Sequence, residues 1–92
     1  MNIPQITSLE NALSTYYKHS EIGNAEIAVI FGKLSSATIA KLKRLAKERM
    51  NELDVCSYGL NKVNTKVAYI AWGLDVEDLE ERINKLKALN LQ

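Results

Sequence analysis

Positive charge is concentrated in one segment of the chain, residues 33–50. This segment holds six basic residues and one acidic residue, a net charge of +5, whereas residues 1–32 hold one basic against three acidic and residues 51–92 five against seven, −2 in each case. The six are Lys33, Lys41, Lys43, Arg44, Lys47 and Arg49. Ammonium and guanidinium groups bind phosphate, and a guanidinium can also read guanine. With a total charge of only +1, the pattern predicts a directed contact with an acidic partner.

The sequence offers little for catalysis or metal binding. One histidine, His19, and one cysteine, Cys56, cannot assemble a zinc site of the usual kind, and no glycine-rich phosphate loop is present. The acidic run 75–81 suits a helix N-terminus better than a metal site or a pair of catalytic carboxylates. We therefore predict a protein that is not an enzyme and uses no metal or cofactor, with His19 at a helix end.

Composition and length indicate one small domain. Hydrophobic residues make up 47% of the 92 residues, enough for one core. No apolar run approaches the roughly 20 residues that span a bilayer, and the N-terminal residues do not resemble a secretory signal. Together with the single cysteine, these features predict a cytoplasmic protein without membrane contact. No internal repeat is recognisable.

The first helix is predicted to start with a capping box in which Thr7 pairs with Glu10, and to end before the turn signal at residues 22–24. Apolar residues then recur at helical spacing; they are Leu9, Ala12, Leu13, Tyr16 and Tyr17. Most aromatic residues of the chain fall at such spacing, so we expect them in the core and not stacked on bases. They are Tyr16, Tyr17, Phe31, Tyr69 and Trp72.

Two further helices are predicted on either side of Gly32. Asn24 is a suitable N-cap for a helix of about two turns, and Gly32 suits the positive φ common at helix C-termini. Ser35 and Ser36 each offer an N-cap for a longer third helix. Its apolar face consists of Ile39, Leu42, Leu45, Ala46 and Met50, with Leu53 a possible extension. Its opposite face consists of Ala37, Ala40, Lys41, Arg44 and Glu48, with Ser36, Lys43 and Lys47 on one flank.

The segment Ile27-Ala28-Val29-Ile30-Phe31-Gly32 resembles the DNA-binding segment of invertase-type serine recombinases, and small regulators of phages and mobile elements. In this pattern Ala28 allows two helices to approach closely, Gly32 permits the turn, and Ile39 and Leu42 insert the third helix into the core. The turn is one residue longer than in the common pattern, as homeodomain-like variants tolerate. Nothing resembles a recombinase catalytic domain, so only DNA binding carries over. The resemblance implies a helix-turn-helix whose recognition helix, about residues 36–50, enters the major groove.

Specific roles follow for side chains of that helix. Backbone N–H groups at its start, with the two serines, would meet a phosphate. Arg44 would read guanine, and Ala37 or Ala40 would pack on a thymine methyl group. The lysines at 33, 43 and 47 would contact the DNA backbone. The predicted DNA-binding residues are Lys33, Ser35, Ser36, Ala37, Ala40, Lys41, Lys43, Arg44 and Lys47.

Residues 54–92 are predicted to form a linker and two more helices. Residues 54–63 lack periodicity and form the linker. Residues 64–72 fit a short helix between Asn64 and Gly73, or a strand paired with residues 55–58, which would give a winged helix with a hairpin at about 55–72. The helix is favoured because Asn64 and Gly73 suit helix ends better than strand ends.

The last helix is predicted to begin at Asp75 and to include two i,i+4 ion pairs, Asp78 with Arg82 and Glu81 with Lys85. Its apolar residues repeat over two heptads; they are Val76, Leu79, Ile83 and Leu86. This seam either covers the core of the same molecule or joins two copies into a homodimer.

The sequence as a whole predicts an all-α, homeodomain-like domain with a tri-helical core at residues 7–53 and a C-terminal extension at 64–92. We expect it to bind double-stranded DNA sequence-specifically, as a bacterial or phage-type transcriptional regulator or an excisionase- or packaging-type accessory factor. The alternative is a protein–protein interaction module that uses the third and last helices. No small-molecule substrate is expected.

Overall fold

In the computed structural model, residues 3–90 are described and form five helices and two very short strands. The chain is therefore mostly helical, as predicted, but it also contains a β-ribbon that the all-α prediction omitted. The elements are α1 (Leu9–Lys18), β1 (Glu21–Ile22), α2 (Asn24–Phe31), α3 (Ser36–Glu52), β2 (Val63–Asn64), α4 (Thr65–Ala71) and α5 (Val76–Asn90). Within residues 3–90, no helix has the length and apolar character needed to cross a membrane.

The N-terminus of α1 is capped one residue later than predicted. Ser8, not Thr7, accepts the hydrogen bond, from the Asn11 N–H at 3.2 Å. Thr7 instead ties the N-terminal segment to α2, because its backbone N–H donates to the Ile30 carbonyl at 2.9 Å. The predicted capping box is thus wrong, since Thr7 binds a residue far along the chain.

Helix α2 also begins differently from the prediction. Gly23 is the N-cap, and its N–H donates to the carboxylate of Glu26 at 2.8 Å. Asn24 is the first helical residue, and its side-chain oxygen accepts a hydrogen bond from Lys43 Nζ on α3 at 3.0 Å. The helix ends at Gly32, whose φ of 86° and ψ of −166° lie in a region that essentially only glycine adopts.

The predicted choice of helix for residues 64–72 is correct. Asn64 caps α4 by accepting the Val67 N–H at 3.1 Å, and Gly73 follows the helix with φ 72°. The alternative hairpin at 55–72 is absent, because β2 pairs antiparallel with β1 and places Val63 opposite Ile22. Both of these side chains are fully buried, so Val63 belongs to the core and not to a linker.

One hydrophobic core holds the described residues together, and α4 lies inside it. Trp72 donates its indole N–H to the Leu42 carbonyl of α3 at 2.9 Å, and Tyr69 donates its hydroxyl to the Ala12 carbonyl of α1 at 2.6 Å. Helix α3 packs chiefly on α4, while α1 packs on α2 and α5. The buried core residues are Ala12, Leu13, Ile22, Ile27, Ile30, Phe31, Leu42, Ala46, Met50, Val63, Val67, Ala68, Tyr69, Trp72 and Leu79. This core therefore spans both the 7–53 segment and the 64–92 segment.

Two similar units follow one another in the chain. Unit one comprises β1, α2 and α3; unit two comprises β2, α4 and α5. In each, a two-residue strand is followed, after at most one residue, by a short helix with an aromatic residue at its C-terminal end, then by a glycine of positive φ and a long helix. Ile22, Phe31 and Gly32 of unit one stand at the same spacing as Val63, Trp72 and Gly73 of unit two.

The pairing of Ile22 with Val63 relates the two strands by a local two-fold axis, as in any antiparallel pair. The rings of Phe31 and Trp72, which follow these strands at the same spacing, meet with centroids 5.4 Å apart and nearly perpendicular planes. The repeat escapes detection in the sequence because only the glycine is identical among these three pairs of residues.

Candidate nucleic-acid interface

The inner face of α3 is where periodicity predicted it. Leu42, Ala46 and Met50 are buried, and Ile39 and Leu45 are partly buried against the same core. Leu53, predicted as an extension of this face, lies beyond the last helical residue and is exposed. The helix is therefore fixed in rotation, which determines what its outer side presents.

The outer face of α3 is exposed along its whole length. It carries small residues near the start, basic residues in the middle and residues of both charges toward the end; the exposed positions are Ser36, Ala37, Ala40, Lys41, Arg44, Lys47, Glu48, Arg49, Asn51 and Glu52. Alanine at two of these positions lets the backbone approach a partner closely. The Arg44 guanidinium lies 3.9 Å from the Glu48 carboxylate, a long contact between two well-exposed side chains. Such a surface pair is weak, so Arg44 remains available to a ligand.

The start of α3 is organised by Ser35. Its hydroxyl accepts the Thr38 N–H at 3.2 Å and shares a hydrogen bond with the Thr38 hydroxyl at 2.9 Å. Ser35 is thus the N-cap, one of the two residues predicted for that role. Because its hydroxyl already serves the cap, a phosphate at this helix end would have to share it. Ser36 and Lys33 are exposed beside it.

Lys43 differs from the other basic residues of α3. It is partly buried, and its ammonium group donates to Asn24 Oδ1 at the start of α2. Burial lowers the pKa of Lys43 below its usual value, and the positive charge of Lys47 lowers it further. Lys43 therefore joins the two helices of unit one, and Lys47 stands close enough to form a shared positive region.

The contact between α2 and α3 is not made at Ala28, as the helix-turn-helix pattern predicted. Ala28 is exposed, so it does not mediate the approach of the two helices. The turn is instead held at Gly32, where an added Cβ would lie 2.8 Å from Cγ2 of Thr7. Leu34 of the turn packs against the core. Ala28 is exposed because α2 buries its other side, through Ile27, Ile30 and Phe31.

The segment between α3 and β2 carries a feature that sequence reasoning missed. The Glu21 carboxylate accepts hydrogen bonds from the N–H groups of Tyr58 at 2.6 Å and Gly59 at 2.7 Å. The side chains of Tyr58 and Leu60 are 95% and 90% exposed. No local signal links Glu21 to residues so distant in the sequence.

The other candidate groups lie apart from this interface. His19 ends α1, with its N–H on the Thr15 carbonyl at 3.1 Å, as predicted for a helix-end residue. Cys56 is exposed. Among residues 3–90, no three His, Cys, Asp or Glu side chains are grouped so as to hold a metal ion.

The apolar seam of α5 is largely used within the molecule. Leu79 is buried, and Val76 and Ile83 pack against the core, whereas Leu86 and Leu89 are 50% and 65% exposed. A dimer through all four predicted residues would therefore require α5 to leave the core. Of the two predicted ion pairs, that of Asp78 with Arg82 is present, with Arg82 Nε 2.9 Å from Asp78 Oδ2. Among residues 3–90, the ion pairs do not include Glu81 with Lys85.

Comparison of the chain with protein-family models, with curated proteins and with solved structures gave no match.

Proposed function

We propose that this protein binds double-stranded DNA sequence-specifically, by placing the outer face of α3 in the major groove. One observation carries the proposal: the side of α3 that faces solvent is the side on which its small and basic residues collect, while its apolar side is buried. An α-helix fits the major groove, and basic side chains neutralise phosphates. In this reading α2, the turn at Gly32 and α3 act as a homeodomain-like helix-turn-helix.

The side chains divide into readout and positioning groups. Arg44 hydrogen-bonds guanine in two places, and Ala37 or Ala40 packs on a thymine methyl group. Lys41 and Lys47 reach the phosphates on either side of the groove, and Lys33 does so from the turn. Lys43 orients α2 through Asn24 and adds to the local positive potential. A regulator of transcription, or an accessory factor in excision or packaging, would use such a module in the same way.

Binding to mixed-sequence duplex DNA, measured as a function of salt concentration, tests this proposal. Affinity should fall log-linearly with salt, with a slope of about 0.9 per neutralised phosphate. The double variant Lys41→Ala/Arg44→Ala should bind more weakly and show a shallower slope, with unchanged unfolding by urea, because both side chains are exposed.

The matched control is Lys85→Ala/Lys87→Ala, which removes the same charge from the exposed surface of α5. Equal loss of affinity in both double variants would mean that only overall charge matters, and would overturn the assignment of α3. Absence of binding at low salt would overturn DNA binding altogether. Selection of binding sites from random duplexes then gives the sequence preference.

A second function, association through α5, is supported by the exposed pair Leu86 and Leu89 at its C-terminal end. Two exposed leucines one turn apart form the start of a seam for a second copy or another protein. Sedimentation equilibrium should show a dimer that Leu86→Glu/Leu89→Glu dissociates. A monomer at high protein concentration would remove the case for self-association.

A further inference from the structure

The loop 57–62, between α3 and β2, has a fixed position on unit one. Glu21 holds it at the ribbon by accepting the N–H groups of Tyr58 and Gly59. The loop is tight: the Lys62 N–H donates to the Gly59 carbonyl at 3.3 Å, and Asn61 adopts a φ of 60°. An added Cβ on Gly59 would lie only 3.0 Å from the Glu21 carboxylate. The loop is thus bound to the fold and does not depend on its exposed side chains for its shape.

Lys62 places one side of this loop beside the N-terminus of α2, close to basic residues of α3. Lys62 packs beside Gly23 at the start of α2, where an added Cβ would lie 3.6 Å from Lys62 Cγ. The next residue, Asn24, accepts the hydrogen bond from Lys43 of α3. A continuous path therefore runs from the loop, over the N-terminus of α2, to Lys43 and its neighbour Lys47. The carboxylates along this path, Glu21 and Glu26, are both engaged by backbone N–H groups.

We propose that loop 57–62 is a second DNA-contacting element, which touches the minor groove and backbone beside the major-groove site of α3. The proposal rests on DNA binding by α3. Lys62 pairs with a phosphate, and Tyr58 donates its hydroxyl to another. Leu60 and the Tyr58 ring would lie against sugars and base edges, as apolar side chains do in minor-groove contacts. Burial in such a contact accounts for two large side chains that the fold leaves 95% and 90% exposed.

Two chemical footprints on one duplex, obtained by binding-site selection, separate the two contacts. Dimethyl sulfate reports guanine N7 in the major groove, and hydroxyl radicals report sugars along the minor groove. Wild-type protein should protect both. Tyr58→Ala/Leu60→Ala should keep the N7 protection, lose the adjacent sugar protection and weaken binding by at least about fivefold. Its urea midpoint should not change.

The control is Ile70→Ala, which removes an exposed aliphatic side chain from α4. It should leave both footprints intact. Tyr17 of α1 is exposed and not in the core as predicted, but it is unsuitable as a control because its hydroxyl donates to Glu80 of α5. If Tyr58→Ala/Leu60→Ala also leaves both intact, the loop proposal is wrong while DNA binding by α3 stands. If the wild-type protein protects neither groove and binds no DNA at low salt, DNA binding itself fails.

Replacing Glu21 tests whether it positions the loop, because a positioning role and a simple charge effect predict opposite changes in DNA affinity. Removing a carboxylate near DNA should tighten binding by reducing repulsion. Glu21→Gln also replaces one of the two acceptor oxygens that hold Tyr58 and Gly59, so a positioning role predicts weaker binding and reduced sugar protection. Tighter binding with an unchanged footprint would show that the position of the loop does not matter. Lys62→Ala should lower the salt slope by about one, and Lys66→Ala, on α4, should not.

Discussion

Units one and two share a backbone plan but differ in what their outer helices present. Helix α3 has no acidic residue in its first turn and shows a basic outer face, whereas α5 begins with Glu77 and Asp78 and carries its basic residues later. The short helices differ too: Tyr69 of α4 is buried, and the residue at the same spacing in α2, Ala28, is exposed. The same order of elements thus presents a charged helix in unit one and completes the core in unit two.

The difference shows that the two units contribute differently to the core of this small chain. Unit two contributes the large buried rings of Tyr69 and Trp72. The polar group of each ring donates a hydrogen bond to a carbonyl of another helix. Those bonds fix α1 and α3 relative to α4. Because α3 packs on α4 through its buried side, its outer face does not contribute to the core. The candidate interface is therefore a consequence of packing by unit two.

The two turn glycines offer the most sensitive comparison between the units. Gly32→Ala should destabilise the fold by about 3 kcal/mol, because Gly32 lies in a glycine-only backbone region and the new methyl would meet Thr7. Gly73→Ala should cost only about 1 kcal/mol, since its φ is also positive but nothing lies within 4 Å of an added Cβ. Urea unfolding of both variants measures the difference. Equal destabilisation by the two substitutions would show that Thr7 moves away from the new methyl group without loss of stability.

Tyr69 gives the next largest effect, and it depends on pH. Burial raises the pKa of the Tyr69 hydroxyl well above its ordinary value of 10.0, with a smaller contribution from Tyr16. Above pH 10 the unfolded chain loses this proton while the folded chain keeps it, so the unfolded state binds fewer protons and stability falls as pH rises. The contribution approaches about 1.4 kcal/mol per pH unit.

Tyr69→Phe should therefore flatten the decline of stability above pH 10. At neutral pH it should cost about 1 kcal/mol for the lost hydrogen bond to Ala12. Urea midpoints between pH 7 and pH 11 check both expectations, and Tyr58→Phe, at a fully solvated ring, is the control. A decline as steep in Tyr69→Phe as in the wild type would mean that another group causes it.

Local signals were enough to predict the N-terminal ends of three helices and the rotation of α3, whereas the caps predicted at Thr7 and Asn24 are wrong. Three predicted cap residues accept hydrogen bonds from N–H groups only two or three residues away: Ser35, Asn64 and Asp75. Such caps can be recognised in the sequence because they depend only on neighbouring residues. The buried face of α3 followed from periodicity, because a helix of fixed pitch must turn its apolar residues toward the core. The exposed basic side follows from the same rotation.

Features that depend on distant residues could not be predicted in this way. Two such features join segments about 40 residues apart: the pairing of Ile22 with Val63, and the hydrogen bonds from loop 57–62 to Glu21. The bond from Lys43 to Asn24 depends on the angle at which α2 and α3 cross, which no spacing encodes. The error at Ala28 has the same origin: a small residue permits a close approach but does not cause one.

The smallest expected effects concern one exposed ion pair in each unit. Glu48→Gln in unit one and Asp78→Asn in unit two each remove the acid from an i,i+4 pair, so each should change stability by only a few tenths of a kcal/mol. Their effects on DNA binding should differ. Glu48→Gln frees Arg44 and removes a negative charge from the proposed interface, so affinity should rise, whereas Asp78→Asn lies on α5 and should leave it nearly unchanged. Binding at one fixed salt concentration compares them directly, and an equal rise in both would show that α3 and α5 contribute to binding only through the total charge of the chain.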